Sequence, residues 1–325
     1  MEIVGGGTVV ELGLKDELHH PATGDEHWQD SVVLCWWDLK NQVGGYHRIG
    51  HHPDHAKGPL VHLTNNFFTP DCVYKRCEFI PLRKEDVTPT TFGCGDGTCT
   101  FEFTDHAIWT FNQPEATGTL HVRDFHPPVD IYPKKGQLAE QIAAGHLEVG
   151  SSISGDIAIN GKTYKVDGLA FRDHGWGKRL WDVFVAHRWI AGTFGPDLTV
   201  LALSVLATDD QLVSFGCVVR DNKLTYSYKV DIVTYMEHDS LTHRGGHLKM
   251  ELTTGEVIDI DLVPLQKGVV SWMADAMSTT DTMCKMIYGD RVGICDFEIS
   301  TNPGRGGHRA RVASNGFTED GLHRL

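Results

Sequence analysis

The chain has 325 residues, and 29 Lys and Arg stand against 43 Asp and Glu, which gives a formal net charge of −14 with His neutral. An acidic chain without a basic run is not held on nucleic acid by phosphate contacts, and anionic lipid repels it. Apolar residues make up 41% of the chain, enough for a large core, and no run approaches the about 18 apolar residues of a membrane span. We therefore expect no nucleic acid partner and no membrane span.

Neither the N-terminus nor the cysteines indicate export or a metal site. Residues 1–7 lack the basic and apolar segments of a secretory signal. The chain has eight cysteines, and the spacing of Cys94 and Cys99 does not match that of known zinc sites. We predict reduced, mostly buried thiols in a cytoplasmic protein that uses neither a metal nor a cofactor.

Apolar and polar residues alternate with a period of two along nearly the whole chain, and turn residues interrupt the pattern about every 8–12 residues, which is typical of an all-β protein. In chain order, strands are predicted at 31–37, 45–49, 59–64, 72–80, 98–103, 107–111, 157–166, 212–220, 225–233, 248–252 and 257–263. Residues 157–166 are predicted to form a hairpin, because Asn160-Gly161 supplies the two positive-φ positions of a type I′ turn.

Helix is nearly absent from the predicted elements. Only residues 137–144 show a helical pattern; residues 274–283 are ambiguous, and 309–313 is a further candidate strand. A doubly wound α/β fold needs a helix between successive strands, and the glycine motifs of nucleotide-binding proteins are missing as well. The sequence therefore predicts an all-β protein of two consecutive domains, residues 1–168 and 169–325.

The most unusual segment, residues 168–179, places Arg172, Asp173 and His174 next to one another and follows them with a tryptophan between two glycines. Because a strand alternates its faces, Arg172 and His174 are expected to point one way and Asp173 the other. Burial would raise the pKa of Asp173 and make it a proton donor near neutral pH, whereas an arginine partner would lower that pKa. A buried Arg–Asp pair that locks the domain junction is the structural alternative.

Residues 170–179, AFRDHGWGKR, resemble the DHxWG signature of the lipocalin-like two-domain family that includes carotenoid hydratases (hydroxyneurosporene synthases), kievitone-type hydratases and some fungal Diels–Alderases. Asp173, His174 and Trp176 occupy the matching positions. The resemblance implies two consecutive lipocalin-like (calycin) β-barrels or sandwiches with a site in or between them. It also implies chemistry without a redox cofactor on a small hydrophobic substrate.

The family resemblance implies a hydro-lyase that hydrates an alkene, or dehydrates a tertiary alcohol, of isoprenoid or aromatic origin. Such a reaction needs a proton donor, aromatic faces that stabilise a developing cation, and a placed water. We assign Asp173 as the acid, His174 as its orienting or basic partner, and Arg172 and Trp176 as substrate contacts. An isomerase or pericyclase of a polyene and a non-catalytic carrier of an apolar ligand are the alternatives.

A histidine-rich segment offers further candidates. Tyr46, His47 or Arg48 is predicted to contact the substrate at the mouth of the first barrel. Four histidines, including His47, and one aspartate fall within residues 47–55. Imidazole is a common metal ligand, but this spacing fits no metal site, and a solvated loop is the other interpretation.

Aromatic strands supply the remaining candidates. Alternate residues of a barrel strand point inward, so Trp37 and Trp189 are predicted to line a cavity, with core packing as the alternative. His187 follows the segment 168–179 in the chain and is predicted to reach the same site as that segment. His19 and His20 precede a proline in a polar stretch and are predicted to lie in a solvated loop.

Overall fold

The computed structural model describes residues 2–4, 12–130, 143–208, 212–237, 243–266, 268–273 and 277–305. These residues confirm the all-β class, because they form 22 strands and four short 3₁₀ helices at Leu14–Glu17, Lys84–Asp86, Trp181–Val183 and Pro303–Arg305. In chain order the strands are β1 (Glu2–Val4), β2 (Trp28–Asp38), β3 (Val43–His52), β4 (Leu60–Phe68), β5 (Val73–Tyr74), β6 (Cys77–Pro81), β7 (Val87–Thr88), β8 (Thr91–Gly93), β9 (Cys99–Phe103), β10 (Ala107–Gln113), β11 (Ala116–Asp124), β12 (Gly145–Ile159), β13 (Lys162–Lys178), β14 (Phe184–Thr193), β15 (Thr199–Ala207), β16 (Leu212–Arg220), β17 (Lys223–Met236), β18 (His243–Leu252), β19 (Val257–Pro264), β20 (Val269–Met273), β21 (Met277–Tyr288) and β22 (Arg291–Thr301).

Twelve strands, β2 to β13, form a first sheet that curls into a half-barrel. Its strand order is β5-β4-β3-β2-β13-β12-β11-β10-β9-β8-β7, with β6 beside β4. Large aromatic side chains on one face pack together as a first core, among them Trp36, Phe67 and Trp109. The Asn160-Gly161 turn joins β12 to β13 with both residues at positive φ, as predicted.

Eight further strands close into a barrel. Their order is β17-β16-β15-β14-β22-β21-β19-β18, and the pairing of β17 with β18 completes the ring. β1 lies parallel to β17, and β20 pairs with β21. Apolar side chains such as Leu248, Ile260 and Phe297 fill the barrel interior as a second core, so this barrel is packed in the way that small barrels usually are.

A third core lies between the half-barrel and the outer face of the closed barrel. Val33, Cys35 and Phe171 of the first sheet meet Trp189 and Met283 of the barrel there. The intervening residues of β2 belong to the first core, because successive side chains of a strand point to opposite faces. Every second residue of β2 and β13 therefore faces the space between the two sheets.

The chain changes from one sheet to the other between Lys178, the last residue of β13, and Phe184, the first residue of β14. The boundary predicted between residues 168 and 169 falls within β13. A short 3₁₀ turn, Trp181–Val183, fills the connection and borders the space between the sheets.

Of three other predicted segments, only one lies mainly within the described residues. The ambiguous segment 274–283 contains the first half of β21. The predicted helix at 137–144, apart from its last two residues, and the candidate strand at 309–313 lie outside the described residues. None of the helices in the described part of the chain is long and apolar enough to cross a membrane.

Candidate functional site

A cavity of about 70 Å³ lies between the first sheet and the barrel. Its wall combines aromatic rings with ionisable groups from both sheets and from the connection between them. The lining residues are Ser31, Val33, Tyr46, Arg48, His146, Asp173, Arg179, Trp181, Phe184, His187, Trp189, Leu203, Val205 and Glu298. Half of these residues are ionisable, so the cavity is more polar than the mainly apolar wall that is typical of a small-molecule site.

A larger groove of about 790 Å³ adjoins this cavity and shares Arg179 and Trp181 with it. Its volume falls within the range of roughly 300–1,000 Å³ that ligand pockets occupy. The remaining lining residues are Glu26, His27, Gln29, His52, His55, Lys57, Leu60, His62, Phe79, Lys178, Leu180, Asp182, Met277 and Asn302. The cavity alone holds only a few waters or one end of a substrate, whereas the groove is large enough for the body of a substrate.

Asp173 is the central acid of the cavity. It sits in the middle of three strands, directly opposite Val33 of β2 and Glu148 of β12, and its exposed fraction is 9%. Burial raises the pKa of Asp173 to about 7, although the positive charges of Arg179 and Arg48 act in the opposite direction. The carboxyl group is thus poised to give up a proton near neutral pH.

A chain of polar contacts connects Asp173 to the barrel. Nε2 of His146 lies 3.8 Å from Oδ2 of Asp173, and Nδ1 of the same ring lies 3.7 Å from Oε1 of Glu148. Glu148 also accepts a hydrogen bond of 3.0 Å from Nε1 of Trp189. Three strands, β12, β13 and β14, therefore fix the imidazole beside the central acid.

The barrel contributes a second group of acids, Asp281, Asp296 and Glu298, which come together on its outer face. His187 contacts the Glu298 carboxylate through Nε2, and its Nδ1 lies 2.6 Å from Oγ of Ser300. Burial would raise the pKa of Glu298, but the charge and the hydrogen bond of His187 hold that pKa below its ordinary value. Glu298 is accordingly the ionised member of the group.

The surroundings of the two aspartates beside Glu298 favour their neutral forms. Burial, and then the negative charge of Glu298, raise the pKa of Asp281 and of Asp296 well above the ordinary range. Asp281 also shares a hydrogen bond with Glu298, which stabilises the neutral form of Asp281 and the ionised form of Glu298. This pattern separates proton donors from a proton acceptor within one cluster.

Arg172 and His174 point away from the cavity, as strand alternation predicts. Arg172 is buried and donates to Glu17 through Nη1 (2.8 Å) and Nη2 (2.7 Å) and to Asp124 through Nε (2.8 Å). Nε2 of His174 lies 2.7 Å from Oδ1 of Asp30. The structure therefore does not bring the predicted acid, Asp173, together with its predicted partner, His174.

Trp176 lies on the same far face as His174. Its ring stacks on His20, with centroids 3.7 Å apart. His20 donates its backbone N–H to Asp30 at 2.8 Å, and Nδ1 of His19 lies 3.1 Å from the same carboxylate. The prediction of a solvated loop for His19 and His20 is wrong, because both imidazoles pack against the first sheet.

Two groups of ligand-type side chains occur in the described part of the chain. His20, Asp30 and His174 form one, and Asp281, Asp296 and Glu298 form the other. In the first group the carboxylate of Asp30 already accepts hydrogen bonds from its neighbours, and these contacts tie the residues before β2 to the sheet.

Tyr46 and His47 are separated in the same way as Asp173 and His174. Tyr46 lines the cavity. His47 is buried in the first core, where its Nε2 accepts a hydrogen bond of 2.9 Å from Trp36 and its Nδ1 lies 3.0 Å from Oδ1 of Asn65. Burial lowers the pKa of His47 to about 3, so this residue is a neutral core histidine and does not reach the cavity.

Some of the other predicted site residues line the cavity wall, and others pack in a hydrophobic core. His187 and Trp189 line the cavity, whereas Trp37 packs in the third core against Phe68, with ring centroids 6.1 Å apart. The histidines of residues 47–55 do not form one site. His51 contacts the carbonyl of Gly93 at 2.7 Å, while His52 and His55 line the groove.

Sequence reasoning missed His146, Glu298 and the two aspartates beside Glu298. A signal for the barrel acids was present. Asp296 and Glu298 alternate with the apolar residues Cys295 and Phe297 in β22, so both share a face with the buried residue Ile294. His146 carried no such signal, because it comes near Asp173 only through the pairing of β12 with β13.

The fold resembles that of several two-sheet β proteins of known structure. An AttH-like protein from Nitrosomonas europaea is 15% identical, with a TM-score of 0.69 over 93% of this chain and 99% of that chain. CghA in complex with Sch210972 is 12% identical (TM-score 0.58; 85% and 89% coverage). Kievitone hydratase from Nectria haematococca is 8% identical (TM-score 0.52; 84% and 88% coverage). These similarities confirm, at the level of fold, the resemblance predicted from residues 170–179.

The chain belongs to the family described as a domain of unknown function, DUF7064, whose sequence profile matches residues 13–303. A search of curated proteins gives no significant match.

Proposed function

We propose that this protein is a hydro-lyase that adds water to an alkene, or removes it from a tertiary alcohol, of a hydrophobic substrate with Asp173 as the general acid. The observation that carries the proposal is the buried carboxyl group of Asp173, whose pKa is raised to about 7 beside a cavity with aromatic walls. Efficient general acids have a pKa near the working pH, and a carboxyl group reaches that value where burial or a neighbouring negative charge disfavours its ionised form.

The proposed reaction begins with transfer of the Asp173 proton to one alkene carbon, so that an O–H bond breaks as a C–H bond forms. The cation on the neighbouring carbon is stabilised by the ring of Trp189, by about 0.5–2 kcal/mol. The carboxylate left on Asp173 is compensated by the positive charges of Arg48 and Arg179. No charge is therefore created in the cavity without a compensating group.

Water completes the reaction. Its oxygen bonds to the cationic carbon, and the ionised carboxylate of Glu298, held by His187, accepts the proton that the water releases. Return of that proton to Asp173 restores the starting state, and dehydration uses the same groups in reverse. The basic role assigned to His174 from the sequence thus passes to Glu298 and His187, since His174 contacts Asp30 on the far face.

One fold relative supports this class of reaction by its name. It is kievitone hydratase, which shares the two-sheet architecture over 84% of this chain. CghA, which shares the same architecture, was crystallised with the small molecule Sch210972. Their identity to this chain is low, so the proposal depends on the cavity and its acid rather than on the relatives' own substrates.

The test is incubation in ¹⁸O-labelled water with a panel of terpenoid and aromatic alkenes. We expect a product that carries the label, and a rate that falls by about 10²–10⁴-fold in Asp173→Asn. Asp167→Asn, an exposed residue of the same strand, should leave the rate unchanged. The proposal fails if no product gains label. A turnover that survives in Asp173→Asn would instead favour an isomerase or pericyclase.

A further inference from the structure

Arg48 is a buried cation whose partners are all neutral. Its exposed fraction is 4%, and it lies opposite Val33, in the same row across the sheet as Asp173. Nη1 lies 2.9 Å from Nδ1 of His62 and donates to the His62 carbonyl at 3.3 Å, while Nη2 donates to Oε1 of Gln29 at 2.8 Å. Among the residues that the structure describes, no carboxylate lies within ion-pair distance of this guanidinium.

Arg172, the other buried arginine of the first sheet, has acidic partners. Arg172, on the opposite face, is neutralised by Glu17 and Asp124. A buried charge costs several kcal/mol unless a counter-charge is near, and the fold provides one at Arg172. At Arg48 the nearby acid is Asp173, which is itself kept partly protonated by burial. The charge of Arg48 therefore lacks the neutralisation that the same sheet supplies to Arg172.

Two glycines keep space open for this guanidinium and for a second one. A Cβ atom on Gly50 would lie 2.4 Å from Nη1 of Arg48. A Cβ atom on Gly175 would lie 2.8 Å from Cδ2 of His146 and 3.1 Å from Nη2 of Arg179. Gly50 and Gly175 lie on either side of Ser31 in the two adjacent strands, so this row across the sheet has only one small side chain. Neither glycine has a positive φ. Gly50 therefore leaves room for the Arg48 guanidinium, and Gly175 leaves room for the His146 ring and the Arg179 guanidinium.

The two arginines stand where the cavity meets the groove. Arg179 borders both spaces and stacks over Trp181, 5.0 Å from the ring centroid. Arg48 lines the cavity, and its partners Gln29 and His62 line the groove. A ligand that extends along the groove therefore reaches both guanidinium groups with its inner end.

The groove has more basic than acidic groups, although the whole chain carries a net charge of −14. Three cations, Lys57, Lys178 and Arg179, line it against the two acids Glu26 and Asp182. Burial lowers the pKa of His52 to about 3 and that of His62 well below its ordinary value, so these two groove histidines add no positive charge. Lys178 is paired with Asp25 at 3.0 Å. A local excess of positive charge at a concave surface raises the concentration of anions there.

We propose that Arg48 and Arg179 bind a carboxylate group of the substrate, so that the substrate is an amphipathic carboxylic acid whose apolar body occupies the groove. The planar guanidinium matches a carboxylate through two parallel N–H donors. The inference rests on the proposed function, because it identifies the substrate class of that reaction. The cavity is small and holds both Arg48 and Asp173, so the reacting carbon lies only a few bonds from the carboxylate.

The test compares a charged ligand with its neutral counterpart. Isothermal titration of the wild-type protein with decanoate and with methyl decanoate is expected to show at least 10-fold tighter binding of the acid. Equal affinities, or no measurable binding of decanoate at millimolar concentration, would overturn the proposal. Tighter binding of decyl phosphate than of decanoate would overturn the assignment to a carboxylate.

Variants locate the effect at the two arginines. Arg48→Gln and Arg179→Gln should each abolish the preference for decanoate, and Arg48→Lys should restore part of it. Arg244→Gln removes an exposed cation of the barrel, which is paired with Glu237, and should retain the full preference. Arg179 is only half-buried, so its variant provides the answer if Arg48→Gln does not fold. A preference that persists in Arg179→Gln contradicts the proposal.

The outcomes separate this inference from the proposed reaction, because binding of decanoate needs no turnover. A preference for the acid without labelled product in the ¹⁸O experiment would leave the anion site intact and contradict the hydro-lyase. Labelled product from neutral alkenes, without any preference for decanoate, would support the hydro-lyase and contradict the carboxylate site.

Discussion

The indole N–H of Trp189 and the carboxylate of Glu148 form a hydrogen bond of 3.0 Å that joins the closed barrel to the first sheet. Both residues are buried. Since Glu148 also lies 3.7 Å from Nδ1 of His146, this bond orients the imidazole that faces Asp173. One contact between the sheets thus affects both stability and the geometry of the site.

Replacing Trp189 with Phe should destabilise the protein by about 1–3 kcal/mol, because it leaves a buried carboxylate without one of its donors. Urea unfolding followed by circular dichroism measures this difference. Trp181→Phe is the matched control, since it removes an indole N–H from the same cavity wall without cutting a bond to Glu148. Equal losses of stability in the two variants would contradict the role given to the Trp189–Glu148 bond.

The raised pKa of Asp173 predicts a pH-dependent stability. In the unfolded chain this group titrates near 3.8, and in the folded protein near 7, so the folded state binds the extra proton between these values. Stability is then lost as the pH rises from about 4 to about 7, by at most about 4 kcal/mol for a shift of this size. Asp173→Asn removes this pH-dependent contribution to stability.

The measurement is the free energy of unfolding of the wild-type protein and of Asp173→Asn at pH 4.5 and pH 8. Relative to the wild type, the Asn variant should gain stability on going to pH 8. Parallel pH profiles would show that Asp173 titrates normally in the folded protein, and the acid role would lose its basis.

Breaking the Arg172 network should be costly. Arg172→Met leaves Glu17 and Asp124 without their shared counter-charge, and loss of one partner of a buried ion pair costs about 3–5 kcal/mol. Arg244→Met, which breaks an exposed pair with Glu237, should cost less than about 1 kcal/mol. Urea titrations of both variants provide the comparison, and a small effect at Arg172 would argue against a structural role.

Two neighbouring residues should give opposite results. His47→Leu deprives Trp36 and Asn65 of buried hydrogen bonds, at a cost of about 1–3 kcal/mol for each, and should leave decanoate affinity unchanged. Tyr46→Phe alters the cavity wall and should change ligand affinity with little effect on stability. Calorimetric titration together with thermal unfolding separates the two effects, and a reversed pattern would place the site on the other face of β3.

The architecture was largely predictable from the sequence because it depends on local signals. A period of two, the Asn160-Gly161 turn and the scarcity of helical patterns define an all-β chain. Strand alternation also placed Asp173 on a different face from Arg172 and His174. The motif resemblance indicated the fold relatives that the structural comparison then confirmed.

The composition of the site was only partly predictable, because it depends on contacts between distant segments. His146 approaches Asp173 through strand pairing, and Glu298 faces it only after the barrel packs on the first sheet. The sequence prediction took the nearest histidine in the chain, His174, as the partner of the acid. Adjacent residues of a strand are the ones that cannot share a face, so a partner for Asp173 had to come from elsewhere.

In β13, Asp173 faces the cavity, while Arg172 and His174 make structural contacts on the other face of the sheet. This arrangement has a consequence for divergence within the family. A one-residue insertion or deletion in this strand would exchange its two faces, burying Asp173 among aromatic rings and exposing Arg172 and His174 to the cavity. A point substitution at position 173 leaves the anchoring contacts of both neighbours intact. Descendants of this fold can therefore acquire a different chemistry at that single position while the length of the strand stays fixed.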